Sequence, residues 1–194
     1  MTLRAPSLGV LAIVFVVSSL GAACGGGSSS STLEGVYTAD TWTENPTACD
    51  AEGPSVLADQ SRLTFYVKLE SFLGETFINV NFCDDLADCQ ALANDEDTLH
   101  LGSYFFTGSD GAGWTTALYS GFAPEGGNCE GEYVTGTLTA PEPGTLRLER
   151  REQEAGGFPP EDDGFCDDDK GAQAAEGQPC STLEVFTATT IGSF

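Results

Sequence analysis

The sequence predicts an all-β domain, an antiparallel meander of about eight strands that is cross-linked by disulfides. Short runs rich in Thr, Val, Tyr, Phe and Ile are separated by Gly, Pro, Asn and Asp. No window of helical length carries a clean apolar stripe. The chain also has 7 cysteines and no CxxC pair, which is typical of a disulfide-bonded extracytoplasmic protein.

The first predicted strand covers 33–44, a run with β-branched and aromatic residues. The next two, 62–71 and 75–83, form a hairpin around a turn at Gly74 and Glu75. In the second strand polar residues alternate with apolar ones, which indicates one buried face. The apolar residues on that face are Leu63, Phe65, Val67 and Leu69.

Five further strands follow the same pattern of short β-rich runs between turn residues. An Asp-Gly pair at 110–111 predicts one turn, and the segment "PEPG" at 141–144 predicts another. The strands are predicted at 98–108, 113–123, 130–140, 145–153 and 181–192. Two segments interrupt them: 84–97, with the composition of one or two helical turns, and 154–179, a long polar loop.

Eight meandering strands close into a barrel when the last strand pairs with the first. The first strand carries Gly35-Val36-Tyr37, with Trp42 five residues further on. This resembles the Gly-x-Trp opening of lipocalin-like (calycin) barrels, with Tyr in place of Trp. The resemblance implies a barrel over 33–192. A two-sheet β-sandwich explains the same strand pattern equally well.

Six cysteines in the body of the chain are candidates for three disulfides. They are Cys49, Cys83, Cys89, Cys129, Cys166 and Cys180. Six cysteines allow fifteen connectivities. Closeness in sequence favours Cys83–Cys89 and Cys166–Cys180, which leaves Cys49 to pair with Cys129.

The first residues have the layout of a secretory signal. Arg4 precedes an apolar run over 8–17 that is too short to cross a bilayer core of about 30 Å. Ordinary cleavage after Gly21-Ala-Ala23 would release a secreted or periplasmic protein. The alternative is lipid attachment, because "LGAAC", ending at Cys24, resembles the bacterial lipoprotein signal, although leucine stands at position −4 instead of −3.

The cysteine count favours lipidation of Cys24, since seven cysteines would otherwise leave one free thiol. The segment 25–32, "GGGSSSST", has no large apolar side chain and predicts a flexible tether of about 15 Å. The lipoprotein resemblance implies three acyl chains and, with Gly25 after the cysteine, delivery to the outer membrane. The predicted organisation is a signal peptide at 1–23, a lipidated tether at 24–32 and one β domain at 33–194.

The charge balance excludes classes of partner. With 30 acidic and 7 basic residues the net charge is −23, so the surface repels nucleic acid and anionic membrane surfaces. An acidic surface also keeps a protein soluble without serving a specific partner.

Nothing in the sequence predicts an enzyme or a cofactor. His100, the single histidine, has no catalytic motif around it, and zinc needs several His or Cys ligands. Carboxylates are abundant, but no two are singled out as a glycosidase pair. We therefore expect no catalytic residues and no metal site.

One acidic loop is a candidate for calcium, which takes six to eight oxygen ligands. Its carboxylates are Glu161, Asp162, Asp163, Asp167, Asp168 and Asp169. Their spacing differs from that of an EF-hand, and a solvated acidic run is the ordinary interpretation. The same applies to "NDED" at 94–97.

The function expected from these features is that of an envelope lipoprotein, a small binding module with a barrel cavity for an apolar ligand. The aromatic residues of the strands would line that cavity. They would equally fill a solid interior, and the alternative is then a surface structural or interaction protein without a ligand cavity.

Overall fold

The computed structural model describes residues 33–57, 63–72, 74–95, 103–109, 113–162 and 164–194. Within these residues the chain forms nine strands and two helices. The strands are β1 (Gly35–Asn45), β2 (Thr64–Phe72), β3 (Glu75–Cys83), β4 (Tyr104–Phe106), β5 (Gly108–Ser109), β6 (Trp114–Phe122), β7 (Glu130–Thr139), β8 (Thr145–Gly156) and β9 (Cys180–Gly192). The helices are α1 (Leu86–Ala93) and α2 (Asp168–Ala175).

The described strands form one antiparallel sheet that curls into a nearly closed barrel. Their order is β4-β3-β2-β1-β9-β8-β7-β6-β5. β9 lies between β8 and β1, and its pairing with β1 extends from Val36 opposite Gly192 to Asn45 opposite Leu183. The predicted pairing of the last strand with the first is confirmed, and the sheet forms a nearly closed barrel instead of a two-sheet sandwich.

The barrel approaches closure at the predicted strand 98–108, which the structure divides in two. β4 pairs with β3, whereas β5 pairs with β6. Between them the N–H of Thr107 donates to the carbonyl of Thr115 at 3.1 Å. Residues 98–102 lie outside the described residues. Past Thr115, β6 has no described strand on this side, so closure is incomplete.

Inward-pointing side chains fill the centre of the barrel. Tyr37 stacks on Phe65 with ring centroids 5.7 Å apart, and Phe186 meets Phe65 edge-on at 5.3 Å. Each residue of this core is at most 4 % exposed: Tyr37, Phe65, Val67, Ile78, Val80, Phe106, Leu138, Leu146, Leu148, Phe186 and Ala188. The predicted inward face of β2 is confirmed for Phe65 and Val67, whereas Leu63 is only partly buried and Leu69 is 42 % exposed.

Helix α1 covers the outer face of β1 and β2, so β2 is buried on both sides and not on one. Val36 and Tyr66 of this outer face are buried beneath it. The helix begins after Asp85, whose side chain accepts the N–H of Asp88, and Lys68 donates to the carbonyl of Ala93 at its end. The predicted helical turns within 84–97 are confirmed.

The predicted loop 154–179 contains regular structure that the sequence analysis missed. β8 continues to Gly156, and α2 packs on the outer face of β6, β7 and β8. Gly171 permits this approach, because a Cβ there would lie 2.6–2.8 Å from atoms of Tyr119. Contact with the sheet therefore stabilises a polar segment that has little helical signal of its own. No helix in the described residues is long and apolar enough to span a bilayer.

Three disulfides join the six described cysteines. Cys83–Cys89 is confirmed, with Cα atoms 5.3 Å apart. The other two predicted pairings were wrong: Cys49 bonds to Cys180 and Cys129 bonds to Cys166. The physical reason is the fold, since pairing of β1 with β9 places Cys49 beside the start of β9.

The barrel has two poles, which the strand registers define. At the N-terminal pole lie Leu33, the β7–β8 turn at 141–144 and the chain end after Gly192. At the opposite pole, which we call the rim pole, lie Asn45, the β6–β7 turn and Gly156 at the end of β8. Cys49–Cys180 and Cys129–Cys166 both lie toward the rim pole and brace its loops.

Candidate functional site

Two residues singled out by the sequence, Cys24 and His100, lie outside the described residues. The structure places the six cysteines of the body in disulfides, so none of them is a free thiol. The candidate groove in the structure is formed by other residues.

The acidic loop predicted as a calcium candidate makes contacts within the protein. Asp167 caps α2 by accepting the N–H of Lys170, and Glu161 accepts from the Lys170 ammonium. Asp168 accepts the backbone N–H of Tyr119 at 2.8 Å. Among the described residues no group of three or more His, Cys, Asp or Glu side chains is arranged to hold a metal ion. Asp163, Glu96 and Asp97 lie outside those residues.

A groove of about 840 Å³ opens at the rim pole, and we call it the rim groove. It lies where the ends of β6, β7 and β8 meet α2 and the turn after it. Its lining consists of Ser120, Gly121, Phe122, Glu130, Gly131, Glu132, Glu154, Ala155, Gly156, Ala174 and Gln178.

Glycines stand opposite one another on neighbouring strands in the floor of the rim groove, where the adjacent backbone and Tyr119 approach closely. Gly121 pairs with Gly131 across β6 and β7, and neither contributes a side chain. A Cβ on Gly131 would lie 2.3 Å from the carbonyl oxygen of Ser120, so this floor tolerates no larger residue. Ala155 and Ala174 also line the groove, and their side chains are small.

The charge of the rim groove is negative. Glu130, Glu132 and Glu154 line it, and none of the described lining residues is Lys or Arg. Burial raises the pKa of Glu132, and the neighbouring carboxylates of Glu152 and Glu154 raise it further. The groove is therefore a place where positive charge is stabilised and a further negative charge is opposed.

A buried polar network lies inside the barrel below the rim groove, formed by Tyr104, Arg150, Glu152 and Glu184. Glu184 shares the inward face of β9 with Phe186 and is 7 % exposed. Its carboxylate accepts the Tyr104 hydroxyl at 2.6 Å. Arg150 forms an ion pair with Glu152 at 2.6 Å and approaches Glu184 to 3.7 Å.

The electrostatics of this network are dominated by desolvation. Burial raises the pKa of Glu184, although the hydrogen bond from Tyr104 and the charge of Arg150 oppose the change. Burial and the adjacent Glu184 also raise the pKa of Tyr104, so the phenol keeps its proton and donates it. The Trp42 indole N–H lowers the pKa of Glu184 but makes no hydrogen bond of ordinary geometry with a described residue.

Charges of the polar network act on a carboxylate of the rim groove. Glu152 raises the pKa of Glu132, and Arg150 lowers it. A positive charge in the groove would therefore be felt by the carboxylates of both groups. The arrangement is suited to binding a cation. Carboxylates line the groove, and the charges of the polar network below them are partly neutralised by ion pairs.

Sequence signals for this site exist, although they are weak. The segments "SGF" at 120–122 and "EGE" at 130–132 place glycines at adjacent strand ends, with glutamates on either side of one of them. Glu184 has the inward parity of Phe186 and Ala188, so the alternation in "LEVFTA" marks a carboxylate aimed at the core. However, the register of the strands determines which strand ends lie side by side, and these local segments do not specify the register.

Comparison with known proteins identifies no relative: no family model, curated protein or solved structure matches this chain.

Proposed function

We propose that this protein is an envelope lipoprotein, lipidated at Cys24 and carried to the outer membrane, whose β domain is a binding module and not an enzyme. The signal-like segment, the "LGAAC" sequence and the tether at 25–32 support the anchor. The disulfides support it as well. They use six of the seven cysteines and leave Cys24 as the odd one.

The proposed binding site is the rim groove and not the centre of the barrel. One observation carries this choice: the central side chains pack at most 4 % exposed, whereas the groove is open and about 840 Å³ in volume. A volume of that size is in the ordinary range for ligand sites. An apolar ligand at the centre would have to displace packed rings such as Phe65 and Phe186.

A second function, that of a surface interaction protein, is favoured by Phe122. This side chain is 67 % exposed at the edge of the rim groove. The aromatic residues of the strands were expected to line a cavity or to fill the interior, but most of the Phe122 side chain is exposed. An exposed aromatic residue beside a groove is typical of a protein contact.

The anchor is tested by the intact mass of the mature protein before and after reduction. We expect a mass that begins at Cys24 and carries diacylglyceryl and acyl groups, and a gain of six hydrogens on reduction for three disulfides. The Cys24→Ser variant should lose the lipid. An unmodified chain beginning at Gly25 or Cys24 would contradict the anchor.

The binding site is tested by native mass spectrometry of the mature protein purified without denaturation. Ser120→Trp fills the rim groove, and Thr137→Trp places the same side chain at an exposed position elsewhere on the β6–β7 pair. We expect a bound species that is lost in the first variant and kept in the second. A species kept by both variants, or an apolar ligand that quenches Trp42 at the centre, would contradict the proposal.

A further inference from the structure

The point where the chain enters the barrel is fixed by two contacts. Leu33 packs against the core at the N-terminal pole. The hydroxyl of Tyr37 donates to the carbonyl of Leu33 at 2.9 Å. Leu33, the first described residue, is therefore fixed at this pole.

The rim groove lies at the opposite pole. β1 runs from Gly35 toward the rim pole, and at about 3.3 Å per residue with a barrel tilt near 40° it rises by roughly 25–30 Å. Glu130 and Glu154 lie beyond the level of Asn45, because β8 and β7 extend past the end of β1. If Cys24 carries the proposed anchor, its attachment to the domain is at the pole opposite to the groove.

The side chains at the rim pole indicate which chemical groups a partner would carry. Three carboxylates line the groove without a described basic residue among them, and Phe122 stands exposed beside them. The hydroxyl of Tyr119 lies against Gly121 in the groove floor, and Tyr119 is only 8 % exposed. That hydroxyl has no hydrogen-bond partner among the described residues, but it is shielded from the groove and a partner would not touch it.

We infer that the rim pole is a membrane-distal docking surface for a lysine- or arginine-rich segment of a protein partner. This rests on the proposed function and names the partner of the same groove. Lysine and arginine bring charge opposite to that of the glutamates, and alkyl stems or a guanidinium plane that pack on Phe122. Anionic lipid headgroups carry net negative charge, which the glutamates repel.

The partner class is tested with the mature lipidated protein in phosphatidylcholine vesicles and a fluorescent ten-residue peptide of alternating Lys and Ala. Glu130→Gln with Glu154→Gln removes two groove carboxylates. Glu75→Gln with Glu142→Gln removes two exposed carboxylates at the N-terminal pole. We expect the first pair to weaken binding by about 3- to 30-fold and the second by less than about twofold.

Equal weakening by both pairs, or none by the first pair, would overturn the inference. Its failure can be told apart from failure of the proposed function. A native species lost in Ser120→Trp, together with no groove-dependent binding of the lysine peptide, would keep the groove as a binding site and reject only the cationic partner.

The orientation is tested by energy transfer to acceptor lipids in the same vesicles. A clickable amino acid replaces Glu125 in the β6–β7 turn or, in a matched protein, Glu142 in the β7–β8 turn, so each protein loses one carboxylate. We expect several-fold less transfer from position 125 than from 142, because the first lies at the rim pole. Equal or greater transfer from position 125 would overturn the membrane-distal placement.

Discussion

The hydroxyl of Tyr104 donates to the carboxylate of Glu184 at 2.6 Å across the interior of the barrel. Tyr104 belongs to β4, a three-residue strand at the incompletely closed seam, whereas Glu184 belongs to β9 in the opposite wall. The bond therefore joins one of the two shortest described strands to the longest one. The Tyr104 ring also packs on Phe186, with ring centroids 5.8 Å apart. A polar and an apolar contact therefore hold β4 and β9 together.

Replacing Tyr104 with Phe keeps the ring but leaves a buried carboxylate oxygen without its donor. We expect the free energy of unfolding to fall by about 1.5–3 kcal/mol, the range for a hydrogen bond to a charged group. Tyr37→Phe is the control, because its hydroxyl serves the neutral carbonyl of Leu33 and should cost about 0.5–1.5 kcal/mol. Urea unfolding at pH 7 measures both, and a loss in Tyr104→Phe no larger than in Tyr37→Phe would contradict the assignment.

Glu184 makes stability depend on pH in a defined direction. Because burial raises its pKa in the folded state, the folded protein binds this proton more tightly than the unfolded chain. The contribution of Glu184 to stability is therefore greatest below the unfolded pKa of about 4.3 and declines as pH rises toward the folded pKa. The titratable and charged groups that act on it are Tyr104, Arg150 and Glu44, and Arg150 is itself paired with Glu152.

Glu184→Gln should remove this dependence. The variant and the wild type should have similar unfolding free energies near pH 4. By pH 7 the variant should gain relative stability of about 1.4 kcal/mol per unit of pKa shift. Glu142→Gln, at an exposed turn, controls for the loss of one carboxylate. A difference from wild type that does not change between pH 4 and pH 7 would reject the raised pKa.

The strand pattern was predictable because it depends on local signals. Alternating apolar residues and glycine-rich turns located β2, β3, β6, β7 and β9 to within a few residues. The fourth predicted strand failed in a particular way. Nothing in its residues reveals that Phe106 pairs toward β3 whereas Gly108 pairs toward β6, because a change of partner depends on how the sheet curls.

The candidate site was less predictable, because it depends on which strand ends meet. Gly121 and Gly131 are ordinary turn-flanking residues until the register sets them opposite each other. α2 was missed for a similar reason. Its sequence, DDKGAQAA, has no apolar stripe, and it is held by the Asp167 cap and by contact of Gly171 with Tyr119.

The Cys49–Cys180 disulfide should contribute more stability than Cys83–Cys89, because it closes a longer loop. The sequence separations are 131 and 6 residues. Loop-closure entropy then gives about 5 kcal/mol for the first and about 2 kcal/mol for the second. Paired Cys→Ala variants of each bridge, unfolded in guanidinium chloride, measure the difference. Equal losses of unfolding free energy, or a larger loss for Cys83–Cys89, would contradict the expected effect of loop length on the entropy of the unfolded chain.

Asp168 should protect the exposed edge of β6. Its carboxylate accepts the N–H of Tyr119 at 2.8 Å, on the side of β6 where no described strand lies beyond Thr115. Asp168→Ala leaves that amide without its acceptor and should cost about 1–2 kcal/mol. Asp169→Ala is a matched control, because both residues lie in the first turn of α2 and interact alike with the helix dipole.

Hydrogen exchange of the Tyr119 amide separates this edge contact from a general loss of stability. We expect exchange to accelerate in Asp168→Ala by a larger factor than for the β7-bonded amides of the same strand, and to be unchanged in Asp169→Ala. Asp168→Asn keeps an acceptor oxygen and should retain most of the protection. If exchange at Tyr119 rises equally in both alanine variants, the carboxylate of Asp168 acts through the helix and not through the strand edge.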